Sequence, residues 1–384
     1  MKKANPEASP GPITIRNLLR LPYYVISGVK YHTAGRIHTP KPLYGTLHVI
    51  GRCDSKCIMC SNWRRRADER ELTLAEIRRI FENPLFSLVE KFSLSGGEPT
   101  LREDLAQVAE VILDTCPHVK EVLLQTNGLE PDRVIKRVKE VLTLPRIRKL
   151  DKFSISVSLD GYGDIHEKIR RVPHAFERVT ETIRRLQELQ RANYFYLCST
   201  CVVQPLNLNG LVQISDFSRE IGLPIIFSPV CTSDYLVDDA GSKEALRMNE
   251  DQLRVLKAFI EGQLQSQLMP SNLPFWREYF NIITGKGRRS LPCYLCHYCA
   301  NVESNGMLWM CAADNSLVYG SALGTPPDEL WYSDKAKEIR RKAEKEFCPR
   351  CAICCDLAFA FKLEFFYYAR FLLSEKARQL VGKR

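Results

Sequence analysis

The stretch Cys53-Asp54-Ser55-Lys56-Cys57-Ile58-Met59-Cys60 places three cysteines within eight residues, with the spacing C-x3-C-x2-C. It follows residues 44–51, a run that predicts a buried parallel strand. Soft thiolate ligands select iron–sulfur clusters or zinc. Three thiolates on one loop can hold three irons of a [4Fe–4S] cube and leave the fourth iron open to an external ligand, whereas a closed structural site offers no such position. A zinc knuckle and plain buried thiols are the alternatives.

The composition predicts an intracellular globular protein with metal sites. The chain has 384 residues, of which 45% are hydrophobic, enough for one large domain and a smaller one. Runs of about 18 uncharged apolar residues are lacking, and residues 1–12 contain no apolar signal-peptide core, so we expect a cytoplasmic protein. Fifteen cysteines in such a chain predict metal sites rather than disulfides.

The net charge of +10 is distributed over the chain in short basic runs such as Arg64-Arg65-Arg66. A base-reading module or an aromatic-interleaved basic patch does not accompany these runs. We therefore interpret them as solvated surface and expect no nucleic-acid partner.

Strand-like and helical segments alternate from residue 44 onward. The strand pattern occurs six times, at 44–51, 91–95, 121–126, 153–158, 194–203 and 224–228. Helical patterns lie between these runs, near 73–82, 102–115, 131–142, 174–192 and 209–221. Thr73 and Glu76 have the spacing of a capping box. We predict an α/β fold, a partial (βα)6 TIM-like barrel with its chemistry on loops at the carboxyl ends of the strands.

Polar motifs follow the second and third predicted strands and close the fourth. Gly96-Gly97-Glu98-Pro99 follows the second strand; its glycines allow a close approach of the backbone to a ligand, and Glu98 adds an acceptor. Gln125-Thr126-Asn127-Gly128 ends the third strand, where an Asn-Gly pair is also a common turn signal. Residues 156–161 end the fourth strand with hydroxyl and carboxylate groups.

These motifs and their order resemble the radical S-adenosylmethionine (radical SAM) superfamily. The resemblance implies that Cys53, Cys57 and Cys60 hold a [4Fe–4S] cluster whose open iron chelates the amino and carboxylate groups of S-adenosylmethionine (SAM). It also implies that the motif Gly96-Gly97-Glu98-Pro99 contacts the methionyl amino group and that Asn127 lines the cofactor site.

The resemblance assigns further SAM contacts. Ser158 is the first candidate to bond the ribose hydroxyls and Asp160 the second, although Asp160 can instead face the substrate as a catalytic group. Arg170 matches an arginine near the SAM carboxylate, with Arg171 as its competitor. Met59 occupies a position that is often aromatic in the family and packs near adenine; its thioether can also pack on a ring.

A second group of cysteines lies near the C-terminus, at positions 293, 296, 299, 311, 348, 351, 354 and 355. The pattern C-x12-G-x4-C, a gap and then C-x2-C is similar to the SPASM or twitch extension of radical SAM enzymes. It implies a hairpin turning at Gly306 and one auxiliary [4Fe–4S] cluster. The implied ligands are Cys293, Cys311, Cys348 and Cys351.

The number of auxiliary clusters is open at this point. The chain ends its cysteine pattern as C-x2-C-x2-C-C, shorter than a full SPASM domain, which favours one cluster. Eight cysteines also suffice for two, with Cys299 and Cys354 as the leading extra ligands. A zinc ribbon is the alternative that the spacing alone permits.

These patterns predict the domain organisation and two amphipathic termini. The expected segments are an N-terminal extension (1–43), the barrel (44–230), linker helices (231–290), the auxiliary-cluster domain (291–356) and a C-terminal aromatic helix (357–384). The two terminal segments are expected to pack on the protein. A peripheral contact with a membrane surface is the alternative, because basic and aromatic residues mix on residues 13–38.

The resemblance implies reductive cleavage of SAM to a 5′-deoxyadenosyl radical, which takes hydrogen from an organic substrate. It implies an electron donor such as flavodoxin or ferredoxin, and oxidation or cross-linking aided by the auxiliary cluster. Cys231 can instead donate hydrogen, which gives epimerisation. A small molecule, a peptide and a lipid-linked substrate remain open, as does a non-catalytic iron–sulfur or zinc protein.

Overall fold

The structure is a computed structural model that describes residues 39–65, 70–265, 276, 279–280, 282–283, 293 and 295–351. Its centre is a nine-stranded sheet in the order β6-β5-β4-β3-β2-β1-β7-β8-β9. The strands are β1 (Tyr44–Ile50), β2 (Lys91–Gly96), β3 (Glu121–Thr126), β4 (Lys152–Ser158), β5 (Tyr196–Val203), β6 (Ile225–Pro229), β7 (Cys299–Val302), β8 (Met307–Trp309) and β9 (Val318–Ser321). Strands β1 to β7 pair in parallel, and β8 and β9 are antiparallel.

Helices connect the strands. The described helices are α1 (Asn62–Arg65), α2 (Leu74–Phe81), α3 (Leu105–Thr115), α4 (Pro131–Leu142), α5 (Asp164–Arg170), α6 (Ala175–Ala192), α7 (Leu211–Glu220), α8 (Ala240–Ala245), α9 (Glu250–Gln265), α10 (Leu295–Tyr298), α11 (Pro327–Tyr332) and α12 (Asp334–Lys342). The predicted six strands, the five helices between them and the partial barrel are confirmed. The Thr73–Glu76 capping box is also present at the start of α2.

The two faces of the parallel sheet differ in chemistry. Successive strand residues point to opposite faces. One face carries aliphatic side chains that are completely buried, such as Leu47, Leu94 and Ile155, and α6 packs near β4 and β5. We call the other the open face. Strand register places on it Thr46, His48, Ser93, Ser95, Leu123, Gln125, Ser154, Ser156, Ser158, Tyr196, Cys198, Thr200, Val202, Ile226 and Ser228.

The chain divides into two compact units. The barrel unit comprises residues 41–255 and 298–343, and the second unit comprises residues 1–40, 256–297 and 344–384. This differs from the expected division into 44–230 and 291–356, because β7 pairs in parallel with β1 and so extends the barrel sheet. That pairing occupies the hydrogen-bonding edge that β1 would otherwise expose.

The expected hairpin lies in this added part of the barrel unit. Gly306 has φ +86° between β7 and β8, and a Cβ there would lie 2.9 Å from the Leu323 side chain, so glycine suits the turn. Trp309 lies on the return strand, with Asn301 as its cross-strand partner.

The second unit contains an aromatic cluster. Trp276 and Tyr279 are buried and their rings meet at 5.5 Å, with Phe280 beside both. The amphipathic segments 13–38 and 357–384 lie outside the described residues. Among the described helices, each is too short or too polar to cross a bilayer.

Burial on the aliphatic face of the sheet, which we call the covered face, predicts an effect on stability. Leu94 is 0% exposed, so Leu94→Ala should lower the free energy of unfolding by about 2–5 kcal/mol through lost burial and a residual cavity. Urea denaturation followed by tryptophan fluorescence measures the shift. Leu206→Ala is the control, since Leu206 is 45% exposed and should change stability by roughly 0.5 kcal/mol or less. Equal midpoints for the two variants would contradict the packing described here.

Candidate functional site

The cysteine loop begins three residues after β1, at the carboxyl edge of the sheet. Cys53 and Cys60 are partly exposed, Cys57 is buried, and the three do not form disulfides. Cys57 packs with Met59, Ile169 and other apolar side chains in one small core. The loop is therefore anchored at its centre and accessible at its two outer cysteines.

Backbone hydrogen bonds fix the loop against the end of α5. Lys56 N–H donates to the carbonyl of Arg170 at 3.2 Å, and Ile58 N–H donates to the carbonyl of Ile169 at 3.0 Å. The Ser55 hydroxyl donates to the same Arg170 carbonyl at 3.2 Å. These bonds hold the middle of the loop in one conformation.

The Gly-Gly-Glu-Pro turn holds the start of the loop from the other side. Gly97 N–H donates to the Ile50 carbonyl at 2.8 Å, and Glu98 N–H donates to the Arg52 carbonyl at 2.9 Å. A Cβ on Gly97 would lie 1.9 Å from the Arg52 oxygen, so a side chain does not fit there. Gly96 has φ +136°, which also favours glycine. Because these two residues are glycines, the backbone after β2 can lie directly against the backbone at the start of the cysteine loop.

The Glu98 carboxylate points into the protein. It is 1% exposed and accepts hydrogen bonds from Thr100 N, Thr100 Oγ1, Thr126 Oγ1 and Asn127 N at 2.7–3.1 Å. Burial raises the pKa of Glu98, and these donors act against that rise. Because both oxygens are occupied, Glu98 joins the β2 and β3 exits. We expect a ligand to meet the backbone of this turn rather than the carboxylate. Pro99, which follows, is buried.

Asn127 links the third strand to the cysteine loop. Its Nδ2 donates to Asp54 Oδ1 at 2.6 Å, and its Oδ1 accepts from Leu129 N at 3.0 Å. Arg133, on α4, forms an ion pair with the same Asp54. Sequence reasoning singled out Asn127 but not Asp54 or Arg133, because a pair separated by 79 residues leaves no spacing signal.

A buried ion pair lies behind the loop. Arg170 Nε donates to Asp160 Oδ2 at 2.7 Å, and Asp160 Oδ1 accepts from Val202 N at 2.8 Å. Burial opposes the charge of Arg170, but Asp160 and the Cys57 thiol raise its pKa above the ordinary value. Asp160 is 0% exposed, so the structure gives no support to a substrate-facing Asp160. Arg171, the competitor for the role of Arg170, is exposed at the end of α5.

Next to this pair, His166 accepts a hydrogen bond from Asp160 N on its Nδ1 at 3.0 Å. Burial lowers the pKa of His166 to about 4, so the ring is neutral at pH 7.

Ser158 is partly buried on the open face, in register with Thr200 of β5. Ser158 is thus the more accessible of the two candidates for a ribose contact.

The thiols on the later strands differ in exposure. Cys198 and Cys201 are buried in β5. Cys231 follows β6 and is partly exposed, and burial of its sulfur raises the pKa of the thiol. Cys231 therefore stays protonated at neutral pH.

The C-terminal cysteines fall in both units. Cys299 is buried in β7 and Cys311 follows β8, both in the barrel unit. Cys293, Cys348 and Cys351 belong to the second unit, and Cys354 lies outside the described residues. The auxiliary ligand set thus stays a prediction. In the second unit the ligand atoms of Cys296, His297 and Glu344 lie within 4.8 Å of one another, a group that could hold a metal ion. Sequence reasoning did not propose it, because the His and Glu are not in a ligand spacing.

The sequence is similar to a known protein family and to several curated proteins. Residues 47–217 match the family described as the radical SAM superfamily. A probable GTP 3′,8-cyclase of Methanococcus maripaludis is 31% identical over 179 residues, 46% of this chain and 55% of the relative. The molybdenum cofactor biosynthesis protein moc-5 of Caenorhabditis elegans is 25% identical over 293 residues, 72% of this chain and 44% of that protein. The chain spans about half the length of these curated relatives.

Two solved structures share the fold. Streptococcus suis SuiB bound to S-adenosylmethionine has a TM-score of 0.59 and 16% identity over 87% of this chain and 77% of that chain. Native anSMEcpe with bound AdoMet has a TM-score of 0.58 and 17% identity over 86% of this chain and 99% of that chain. Residues 47–217 form a radical SAM domain.

The cysteine loop of this domain fits a [4Fe–4S] cluster by its hydrogen-bond donors. Arg170 Nη1 donates to Cys57 Sγ at 3.4 Å, and Asn127 Nδ2 lies 4.0 Å from Cys53 Sγ. Ser55 Oγ lies 3.0 Å from Cys57 Sγ, although its proton goes to the Arg170 carbonyl. Burial raises the pKa of Cys53, so a positive metal centre is needed to hold that sulfur as a thiolate. Donors around ligand sulfurs are the outer-shell arrangement that iron–sulfur sites use.

The close approach at Gly97 leads to a prediction for cluster assembly. Gly97→Ala places its Cβ against the Arg52 carbonyl and should displace the start of the cysteine loop. We expect the variant to lose most of the iron bound at this loop after anaerobic reconstitution, measured as iron per chain and as the SAM-sensitive EPR signal. Gly324→Ala is the control, because a Cβ there meets no atom within 4 Å. Full iron and an unchanged signal in Gly97→Ala would refute this role.

Proposed function

We propose that the protein cleaves SAM reductively at a cluster on Cys53, Cys57 and Cys60, and that the 5′-deoxyadenosyl radical so formed removes a hydrogen atom from an organic substrate. The observation that carries this proposal is the loop itself: three cysteines outside any disulfide, held by backbone bonds on both sides, with donors directed at two of the sulfurs.

The chain's own residues divide the work of holding SAM. When bound, the cluster supplies the electron that breaks a C–S bond of SAM. The backbone of Gly96 and Gly97 lies beside the loop and meets the amino-acid end of SAM in this proposal. Ser158 offers a hydroxyl to the ribose, and Met59 packs near the base.

Two residues position this site rather than touch the reacting atoms. Asn127 ties the β3 exit to Asp54 of the loop. Arg170 is shared between Asp160 and Cys57 Sγ, so its charge offsets the thiolate. A contact between Arg170 and the SAM carboxylate remains part of the proposal, although the guanidinium already has these two partners.

The substrate radical must lose a further electron if the net reaction is oxidation or cross-linking. We infer that Cys293, Cys311, Cys348 and Cys351 would hold an auxiliary [4Fe–4S] cluster, which would accept this electron. Cys299 and Cys354 would be ligands if a second auxiliary cluster is present. The substrate, once it has lost this electron, releases a proton to a base on the protein or to water. An external donor such as flavodoxin or ferredoxin supplies the electron for SAM cleavage, which agrees with a cytoplasmic location.

A second candidate is a radical epimerase. The partly exposed, protonated thiol of Cys231 at the β6 exit favours it, because a thiol can return a hydrogen atom to a carbon radical. In that case Cys231→Ala should abolish product while SAM cleavage continues. Modification of a lipid-linked substrate at a membrane surface is a third, and it depends on terminal segments outside the described residues.

The loop cysteines give a direct test of the primary proposal. Cys57→Ala should reduce 5′-deoxyadenosine formation from SAM and dithionite to background, measured by liquid chromatography, because the cluster loses one of its three ligands. Cys116→Ala is the matched control; Cys116 is also buried, at the end of α3, but lies away from the loop. Wild-type protein that makes no 5′-deoxyadenosine would sink the proposal.

The C-terminal cysteines allow the clusters to be counted. The double variant Cys348→Ala with Cys351→Ala should lose about half of the iron if there is one auxiliary cluster, and about a third if a second one remains on other cysteines. The EPR change caused by SAM should persist, since the first loop is intact. Unchanged iron content, or zinc in its place, would exclude the auxiliary assignment.

A further inference from the structure

The open face of the parallel sheet is lined mainly by neutral hydrogen-bonding groups. Register across the sheet aligns hydroxyl and amide side chains in rows that run from β7 to β6. These residues are Asn301, Thr46, Ser93, Ser154, Ser95, Gln125, Ser156, Ser158, Thr200 and Ser228. Gln125 is exposed, and Ser95, Ser158, Thr200 and Ser228 are partly exposed. Several of these groups therefore lie within reach of a ligand.

The rows are already arranged as hydrogen-bonding pairs. Ser95 Oγ donates to Gln125 Oε1 at 2.8 Å, and Ser156 Oγ lies 2.8 Å from Thr200 Oγ1. A hydroxyl can donate one hydrogen bond and accept two, so each pair keeps capacity for a further partner. A ligand that also carries groups with both donor and acceptor capacity matches this surface.

Cations are scarce on this face. Among the described strand positions that share it, the lysines are Lys91 and Lys152, both at the amino ends of their strands and away from the cysteine loop. Lys91 lies 4.0 Å from Glu121, and Lys152 lies over the Tyr196 ring at 4.3 Å. Triphosphate recognition uses Arg and Lys as charge partners. The face therefore does not resemble a site for GTP, which the curated relatives are named for.

Aliphatic groups form a minority of this face. Leu123, Val202 and Ile226 lie among the polar rows, and Ile226 is 41% exposed. An acyl chain needs a continuous apolar wall, because a buried hydroxyl without a partner costs about 1–3 kcal/mol. Isolated aliphatic side chains instead suit the C–H faces of a polar ring.

A carboxylate network closes one end of the face. His48 Nδ1 lies 2.8 Å from Glu303 Oε2, and the Tyr235 hydroxyl donates to Glu303 Oε1 at 2.6 Å. The Tyr235 and Trp309 rings stack at 4.5 Å beside them. This network adds an anionic and aromatic edge next to β1, which is unsuitable for a phosphate and favourable for hydroxyl groups and ring faces.

We propose that the open face binds a neutral polyol, a sugar or cyclitol ring whose hydroxyl groups pair with the Ser and Thr rows and whose C–H bonds present hydrogen to the radical. The inference rests on the proposed function, since it takes the same face as the substrate side of a SAM-cleaving site.

The test measures 5′-deoxyadenosine formation by reconstituted full-length protein with SAM and dithionite. The probes are glucose, N-acetylglucosamine, sucrose and myo-inositol, and the comparison probes are GTP, triglycine and octanoate. We expect at least one polyol to increase the rate over SAM alone, and the comparison probes to leave it unchanged. The double variant Ser156→Ala with Thr200→Val should raise the half-saturating polyol concentration roughly tenfold, by loss of two hydrogen bonds.

The matched control is Ser87→Ala with Thr143→Val, the same two changes outside the sheet, which should respond to the polyol like the wild type. Stimulation by GTP, triglycine or octanoate, or by none of the polyols, would overturn the polyol assignment while basal cleavage of SAM leaves the proposed function standing. If the wild-type protein shows no basal cleavage of SAM, the proposed function itself is wrong.

Discussion

Backbone hydrogen bonds hold the cysteine loop between two neighbouring elements, and the rest of the site depends on this arrangement. On one side Gly97 and Glu98 donate to carbonyls just before Cys53; on the other, carbonyls of Ile169 and Arg170 accept from the middle of the loop. The first contact is possible because Gly97 has no side chain: the Arg52 oxygen occupies the place of a Cβ. A flexible loop could not present three sulfurs in one fixed arrangement, as a cluster with an open corner requires.

Polar groups that are buried behind the loop convert this local arrangement into a rigid one. Glu98 joins the exits of β2 and β3 through two hydrogen bonds, from Thr126 Oγ1 and Asn127 N, and Asp160 joins β5 to Arg170. A buried carboxylate is costly without partners, so each of these groups keeps the surrounding strand ends in register. Arg170 brings a positive charge to Cys57 Sγ, which the proposed cluster would hold as a thiolate. Structure and electrostatics are thus provided by the same side chains.

The sheet separates stability from recognition. Its covered face is aliphatic and completely buried at Leu47, Leu94 and Ile155, which supplies the burial that stabilises the barrel. Its open face does not have to supply this aliphatic burial, and it carries hydroxyl groups in rows. The parallel barrel brings the carboxyl ends of these rows to the edge where the cysteine loop lies, so a ligand on the open face would lie beside the proposed SAM-cleaving site.

Sequence alone determined the six strand–helix units, the three-cysteine loop and the hairpin at Gly306, because periodicity, glycine positions and cysteine spacing are local signals. It also singled out Glu98, Asn127 and Arg170, but not their pairing with Thr126, Asp54 and Cys57, respectively. Tertiary structure decided that Asp160 is buried against Arg170, that β7 extends the sheet beside β1, and that the polar rows share one face. These features join residues 10 to 255 positions apart, and such pairings arise only when the folded chain brings distant segments together.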